Sequence, residues 1–230
     1  MKTAGDARNR RRVDSQPAAV KTRKQSRAAN APAAAKLRRL RRAELPADTV
    51  RLARYLIGKT LVHSTRSGVV ASGRIVETEA YPPGDPSGHA FRGKTVSNGS
   101  LFLERGFAYV YFAYGSSFMM NVSSERPGVG AGVLIRALEP LDSIGLMRRR
   151  RGGAPLRDLA RGPGRAAAAM AIDRRCDGLD LCGTHSIWLA AATRRRGVLG
   201  VSPRIGITRA VEHPLRFYER GSRFVSRTSR

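Results

Sequence analysis

Residues 73–81 read GRIVETEAY. With the two-residue period of a strand, Glu77, Glu79 and Tyr81 share one face while Val76, Thr78 and Ala80 share the other. Acidic residues are scarce in this chain, 17 against 43 Lys and Arg, so a pair of them ending at a tyrosine allows two readings. The carboxylates line an exposed face and pair with nearby arginines, because ion-pair networks also gather acids. Alternatively, one is held against an aromatic wall as a general base acting on water. A positioned group of that kind contributes roughly 10²- to 10⁴-fold to a rate.

Residues 107–121, FAYVYFAYGSSFMMN, hold three of the six tyrosines. Tyr109 and Tyr111 fall on one strand face, and Tyr114 precedes Gly115 at a turn. Such a stripe is either a packed aromatic strand or a surface for stacking nucleobases, worth about 1–3 kcal/mol per base. Asn121 and Arg136 each interrupt an apolar run. A buried Asn needs hydrogen-bond partners or a ligand, and a buried Arg needs a carboxylate, for which Glu79 is the candidate. His89 lies in a loop rich in Pro and Gly, where a lone histidine is more often structural than catalytic. Cys176, Cys182 and His185 have no standard zinc spacing, so no metal is expected. Neither a GxxxxGK[ST] nor a GxGxxG motif after a strand is present, and no cofactor is expected.

These residues need elements to hold them. A short helix is expected over 52–57, stopping at Gly58. Strands are expected at 60–63, 69–81, 108–113, 118–123, 132–138 and 187–189, from alternation and β-prone residues, with further strand-like segments closing the chain. Residues 148–153 and 194–197 read as basic loops, and Gly162-Pro163-Gly164 opens an Ala-rich helix to about Ile172. The pattern is one mixed α/β domain with its strands clustered mid-chain.

With 230 residues, of which 41% are hydrophobic, the chain holds one domain and a tail. No apolar run approaches the 18 or so residues of a membrane span. Two cysteines fit a reducing compartment. The net charge of +26 points to a polyanion, nucleic acid being the commonest. Residues 1–43 read as a disordered basic arm and 44–230 as the globular domain, because the arm has almost no large apolar residues to offset chain entropy. The arm grips DNA, is a transit peptide, or is a solvated extension. Only six of the basic residues are Lys, a skew that a GC-rich genome also produces, although Arg is the better bidentate phosphate binder.

The motifs match something specific. GRIVETEAY (73–81), DPSGHAFRGKT (85–95), AYVYFAYG (108–115), MNVSS (120–124), LIRALEP (134–140) and RFY (216–218) occur in this order. Together they closely resemble the alkyladenine (3-methyladenine) DNA glycosylase family, over roughly residues 46–226. The resemblance implies a curved, mainly antiparallel sheet surrounded by helices, with a β-hairpin that inserts into the DNA minor groove. It implies a base-excision-repair enzyme that flips alkylated or deaminated purines, such as 3-methyladenine, hypoxanthine or ethenoadenine, and hydrolyses the N-glycosidic bond. In its terms Glu79 is the general base for the attacking water and Arg136 helps to hold that water. Tyr81, His89 and Tyr111 sandwich the extruded base, Tyr114 wedges into the gap it leaves, and Asn121 disfavours the 2-amino group of guanine. The Arg161, Gly164 and Arg165 segment would meet DNA phosphates. The chain departs from the family pattern at Ser116 and Ser117, where bulkier residues are usual, at Gly88 before His89, and in the pair Cys176 and Cys182.

Flipping costs a few kcal/mol, least for a damaged or mispaired base, and an intercalated tyrosine offsets part of that cost. A positively charged alkylated base gains cation–π attraction to Tyr81 and Tyr111. Strand-nicking glycosylases use an amine nucleophile. Beyond the arm only Lys59 and Lys94 remain, Lys94 being five residues from His89, so a monofunctional enzyme leaving an intact abasic site is expected. The expected partner is double-stranded DNA with damaged purines, met by a monomer, with no membrane. The expected location is the cytoplasm and nucleoid of a bacterium, or the nucleus or an organelle of a eukaryote. The alternatives are a non-enzymatic basic nucleic-acid-binding protein, which leaves Glu79, Tyr81 and Arg136 unexplained, and an RNA-modifying enzyme with a similar pocket.

Overall fold

The computed structural model describes residues 37–64, 68 and 70–226. The first 36 residues of the basic arm lie outside the described residues. Helix α1 (Thr49–Leu56) starts at Asp48, whose side chain accepts from the Arg51 N–H at 2.7 Å, an N-cap that satisfies one of the free donors of the first turn. Its apolar face buries Leu52, Ala53 and Leu56, and the chain leaves it at Gly58. The strands are β1 (Thr60–Ser64), β2 (Val70–Tyr81), β3 (Ala108–Ala113), β4 (Ser117–Ser123), β5 (Gly132–Asp142), β6 (Ile187–Ala190), β7 (Leu199–Ser202) and β8 (Arg216–Glu219). Helices α2 (Ile144–Arg150) and α3 (Pro163–Met170) follow β5.

All eight strands join one curled antiparallel sheet, with path β3-β4-β5-β2-β1-β6, and β8 pairing with both β2 and β7. Strand β2 is the axis of this arrangement. Along one side it pairs with β5. Along the other it pairs first with β1, over residues 70–74, and then with β8, over 77–79. The change of neighbour falls where Glu77 and Glu79 lie. The faces of β2 are covered too, by elements that include α1, so residues 71–80 are all buried rather than alternating with solvent.

The pairing of β2 with β5 carries three irregularities, one at Ser72/Gly73 and two further along that compensate each other. Ile75 faces Leu138 and Glu77 faces Ala137, which leaves Val76 extra on β2. Thr78 then faces Ile135, which leaves Arg136 extra on β5 and restores the register. A bulge of this kind re-aims a side chain, and here the re-aimed side chain is an arginine. Helix α3 begins with Pro163 at its first turn, where the missing N–H costs nothing. A Cβ at Gly164 would lie 2.8 Å from that of Ser117, so glycine lets the helix reach the turn end of the β3–β4 hairpin.

Two segments differ from the sequence reading. Residues 148–150, read as part of a basic loop, form the last turn of α2. Arginine is a good helix former, three of them sit at the favourable end of the helix dipole, and Met147 anchors the turn in the core. Residues 38–42, at the end of the stretch read as the arm, pack on the domain. Leu40 is 1% exposed and its N–H donates to the Leu189 carbonyl at 2.9 Å. Arg39 stacks over the Trp188 ring at 4.1 Å, and Arg42 reaches Asp180 at 2.7 Å. This covers the free edge of β6, which an unpaired strand would otherwise expose. We expect Leu40→Ala to lower the free energy of unfolding by about 2–5 kcal/mol in urea titration, where a tail residue would change it by no more than about 0.5 kcal/mol.

Candidate active site

A cavity of about 530 Å³ opens between the β3–β4 hairpin, the loop after β2 and the loop after β7. Tyr81, His89, Tyr111, Asn121 and Arg136 all line it, so the fold gathers side chains spread over 56 positions of sequence. Tyr109 and Tyr111 stack, with ring centroids 5.3 Å apart. His89 leans on Tyr111 at 4.3 Å and its Nδ1 meets the Tyr109 hydroxyl at 2.9 Å. These rings make one wall, and Tyr81 lines the cavity from β2. Burial pushes the His89 imidazole below its ordinary value and the Tyr81 and Tyr111 hydroxyls well above theirs. Tyr109 is pushed up to about 12, chiefly by burial. The wall is therefore uncharged at neutral pH.

The carboxylates are not the exposed pair that one sequence reading allowed: Glu77 and Glu79 are both 0% exposed. Central placement on β2 puts them inside. Arg136 answers both, its Nε donating to Glu77 at 2.9 Å and its Nη1 lying 3.1 Å from Glu79 Oε2. The expected Glu79–Arg136 pair is thus present and shared with Glu77. Burial alone would raise the Glu77 pKa, but Arg136, Arg216 at 2.7 Å, and the N–H and hydroxyl of Ser226 outweigh it and hold the pKa below the usual carboxylate range.

Exposure does not separate the two acids; their partners do. Of the groups around Glu77, only Arg136 lines the cavity. Around Glu79, all three do. Tyr81 donates its hydroxyl to Oε2 at 2.9 Å, Arg136 reaches the same oxygen, and the Ile205 N–H donates to Oε1 at 2.8 Å. Glu79 therefore lies just beneath the cavity floor. A carboxylate has about four acceptor positions; three are used, and one is left for a water.

Asn121, 6% exposed, lies between Tyr109 and Leu134 in the sheet. Among the described residues its side-chain amide has no hydrogen-bond partner, so its polar atoms are available to a guest in the cavity. Tyr114 stands at the mouth, 80% exposed, with a φ of 53°. Tyr114 and Gly115 together make the hairpin turn, closed by the Ser116 N–H donating to the Ala113 carbonyl at 3.1 Å. A left-handed tyrosine costs roughly 1–2 kcal/mol, and its ring gains little burial in return.

Arg161 and Arg165 lie elsewhere. With Arg151 and Arg157 they surround a second depression of about 550 Å³, centred on Asp158. Pro163 lines the first cavity, so the Arg161–Arg165 segment separates the two. Among the described residues no group of three or more His, Cys, Asp or Glu could hold a metal, and no helix is long and apolar enough to cross a membrane. Cys176 and Cys182 are free thiols, Cys182 raised to about 11 by burial.

The family model described as methylpurine-DNA glycosylase matches residues 43–223. The chain belongs to this family. A protein of Mesorhizobium japonicum is 65% identical over 184 residues, covering 80% of this chain and 88% of that protein. One of Paraburkholderia phytofirmans is 53% identical over 183 residues, covering 80% and 85%. One of the archaeon Methanoculleus marisnigri is 43% identical over 196 residues, covering 78% and 94%. All three are provisionally named 3-methyladenine DNA glycosylases.

In this methylpurine-DNA glycosylase chain, sequence reasoning passed over Ile205, Met119, Leu134, Asp85 and Arg204. Met119 offered a signal, being the cross-strand partner of Tyr111, whose hydroxyl meets its sulfur at 3.4 Å. Ile205 offered none, because it acts through its backbone N–H. We expect Glu77→Gln to destabilise the protein by about 3–5 kcal/mol at pH 7, because it leaves Arg136 and Arg216 short of a buried counter-charge. The Glu77 contribution is present above the unfolded value of about 4.3 and is lost as pH falls through the lower folded value. The gap between parent and variant in urea titrations therefore narrows as pH falls below the unfolded value.

Proposed function

We propose that this chain is a monofunctional DNA glycosylase that removes damaged purines, of the 3-methyladenine, hypoxanthine and ethenoadenine type, and leaves an abasic site. The observation that carries the reading is Glu79, held by three lining groups under the floor of an aromatic cavity with an exposed tyrosine at its mouth. The flipped base stacks between Tyr81 and the His89–Tyr111 wall. Tyr114 fills the gap in the duplex, which supports the extrahelical state. Glu79 takes a proton from water as that water's oxygen bonds to C1′. The bond from C1′ to the base breaks, and its electron pair leaves with the base. Arg136, 3.1 Å from Glu79 Oε2, helps to hold the water.

Asn121 stands where a 2-amino group of guanine would meet its amide, which disfavours the undamaged base. Arg161, Gly164 and Arg165 lie beside the cavity, where the phosphates of a flipped nucleotide's strand would run. Among the lining residues there is no lysine, and Lys94 is exposed outside the cavity, which favours water over an amine as nucleophile. The names of the relatives support the same activity. The enzyme acts as a monomer on double-stranded DNA, wherever the cell keeps its genome.

An end-labelled duplex with one hypoxanthine or ethenoadenine tests this. The parent should yield cleavage only after hot alkali, and Glu79→Gln should lower base release by at least about 100-fold while still binding. A strand nick without alkali, trapped by borohydride, would overturn the monofunctional reading. Binding without base release from these or from an alkylated duplex would leave a nucleic-acid binder. Tyr114→Gly relieves a strained turn, so thermal unfolding should shift to higher temperature by the equivalent of up to about 1–2 kcal/mol, while base release from the duplex falls.

A further inference from the structure

Arg209 lines the cavity and is exposed. The two buried cations at the cavity, Arg136 and Arg204, are each paired with a carboxylate, and the second stands outside the machinery described so far. Arg204 follows β7, and its side chain is 0% exposed, as is all but 2% of Asp85. Arg204 grips both oxygens of Asp85, its Nη2 donating to Oδ1 at 3.1 Å and its Nη1 to Oδ2. The same guanidinium donates to the Ala80 carbonyl at 3.0 Å, and its Cζ lies 4.7 Å from the centroid of the Tyr81 ring. Tyr81 and Asp85 line the cavity, whereas Arg204 does not. A closed-off cation thus sits behind one of the rings that the bound base would meet.

That position matters for a charged guest. A cation behind an aromatic wall repels a second cation in front of it, and in a partly desolvated site the repulsion is far stronger than in water. A carboxylate gripping the rear cation removes most of that field. The other buried cation at the cavity, Arg136, is balanced as well, by Glu77 and Glu79. The His89 imidazole is driven toward its neutral form by burial.

We propose that Asp85 is a selectivity-determining residue, which cancels the charge of Arg204 behind Tyr81 and so lets the cavity take a positively charged alkylated purine as well as a neutral one. This rests on the glycosylase reading above. A purely structural role for the pair is the competing account, because it also joins the loop after β2 to the loop after β7, next to the contact from the Ser87 hydroxyl to the Arg209 carbonyl. The two accounts differ in sign. Loss of structure lowers excision of every base together, whereas loss of charge balance depends on the charge of the base.

The test compares release of 3-methyladenine from a methylated duplex, where that base is cationic, with release of neutral hypoxanthine from a defined duplex. The readout is the ratio of the two kcat/KM values. Asp85→Asn should lower this ratio about tenfold, and Arg204→Gln should raise it, on the Coulomb scale for charges within one site. The double variant should return it to within about twofold of the parent, since no charge remains. Each single variant predicts a shift of defined sign, so either one suffices if the other does not fold. Equal loss of both activities, or shifts of the same sign in the two variants, would overturn the proposal. If the parent releases neither base, the glycosylase reading fails and this inference fails with it.

Discussion

Three charged side chains in the middle of the sheet set the terms for everything around them. Glu77 and Glu79 are fully buried on the central strand, and Arg136 lies between them. Removing ions from water costs several kcal/mol each, and only close, fully hydrogen-bonded opposite charge repays it. The surroundings are built to meet that condition. Arg216 and Ser226 complete the shell of Glu77, and Tyr81 and Ile205 complete that of Glu79. Four separate segments of chain therefore converge on one strand, and their convergence closes the cavity.

The network also divides labour between two like residues. Of the partners of Glu77 only Arg136 lines the cavity, and Glu77 serves to hold it. Glu79 is surrounded by groups that line the cavity, and it keeps an acceptor position for a water. One arginine touching both means that the structural acid fixes the position of the other's partner. The pair of bulges in β2 and β5 makes this possible, because a regular ladder would not leave Arg136 extra on its strand.

A chain of net charge +26 nevertheless pairs both buried arginines at its cavity with carboxylates. The positive charge is spent on surfaces such as the arginine-lined depression beside Arg165, where it can attract a phosphate backbone. The cavity itself is aromatic and closed by ion pairs. The arginine-lined depression and the aromatic cavity are thus physically separate, and the strained Tyr114 turn lies at the mouth of the cavity.

Much of this was legible in the sequence because it depends on local periodicity. Alternation located most strands within a residue or two, including the hairpin strand Ala108–Ala113, and placed Tyr109 and Tyr111 on one face. A lone arginine in an apolar run demanded a carboxylate, and Glu79 was there. Helix α2 was missed because its arginines look like a solvated loop when Met147 is not seen to be buried. What only the tertiary structure decided depends on long-range geometry. Whether the two acids faced solvent rested on what packs around them from distant segments, Arg136, Arg216, Ile205 and Ser226. Which acid served the cavity rested, Tyr81 apart, on partners 57 to 149 positions away, and the Arg204–Asp85 pair spans 119. Side-chain type and spacing determine what a residue is able to do. Burial and partnership, which arise only when distant segments pack, determine which of those capacities it keeps.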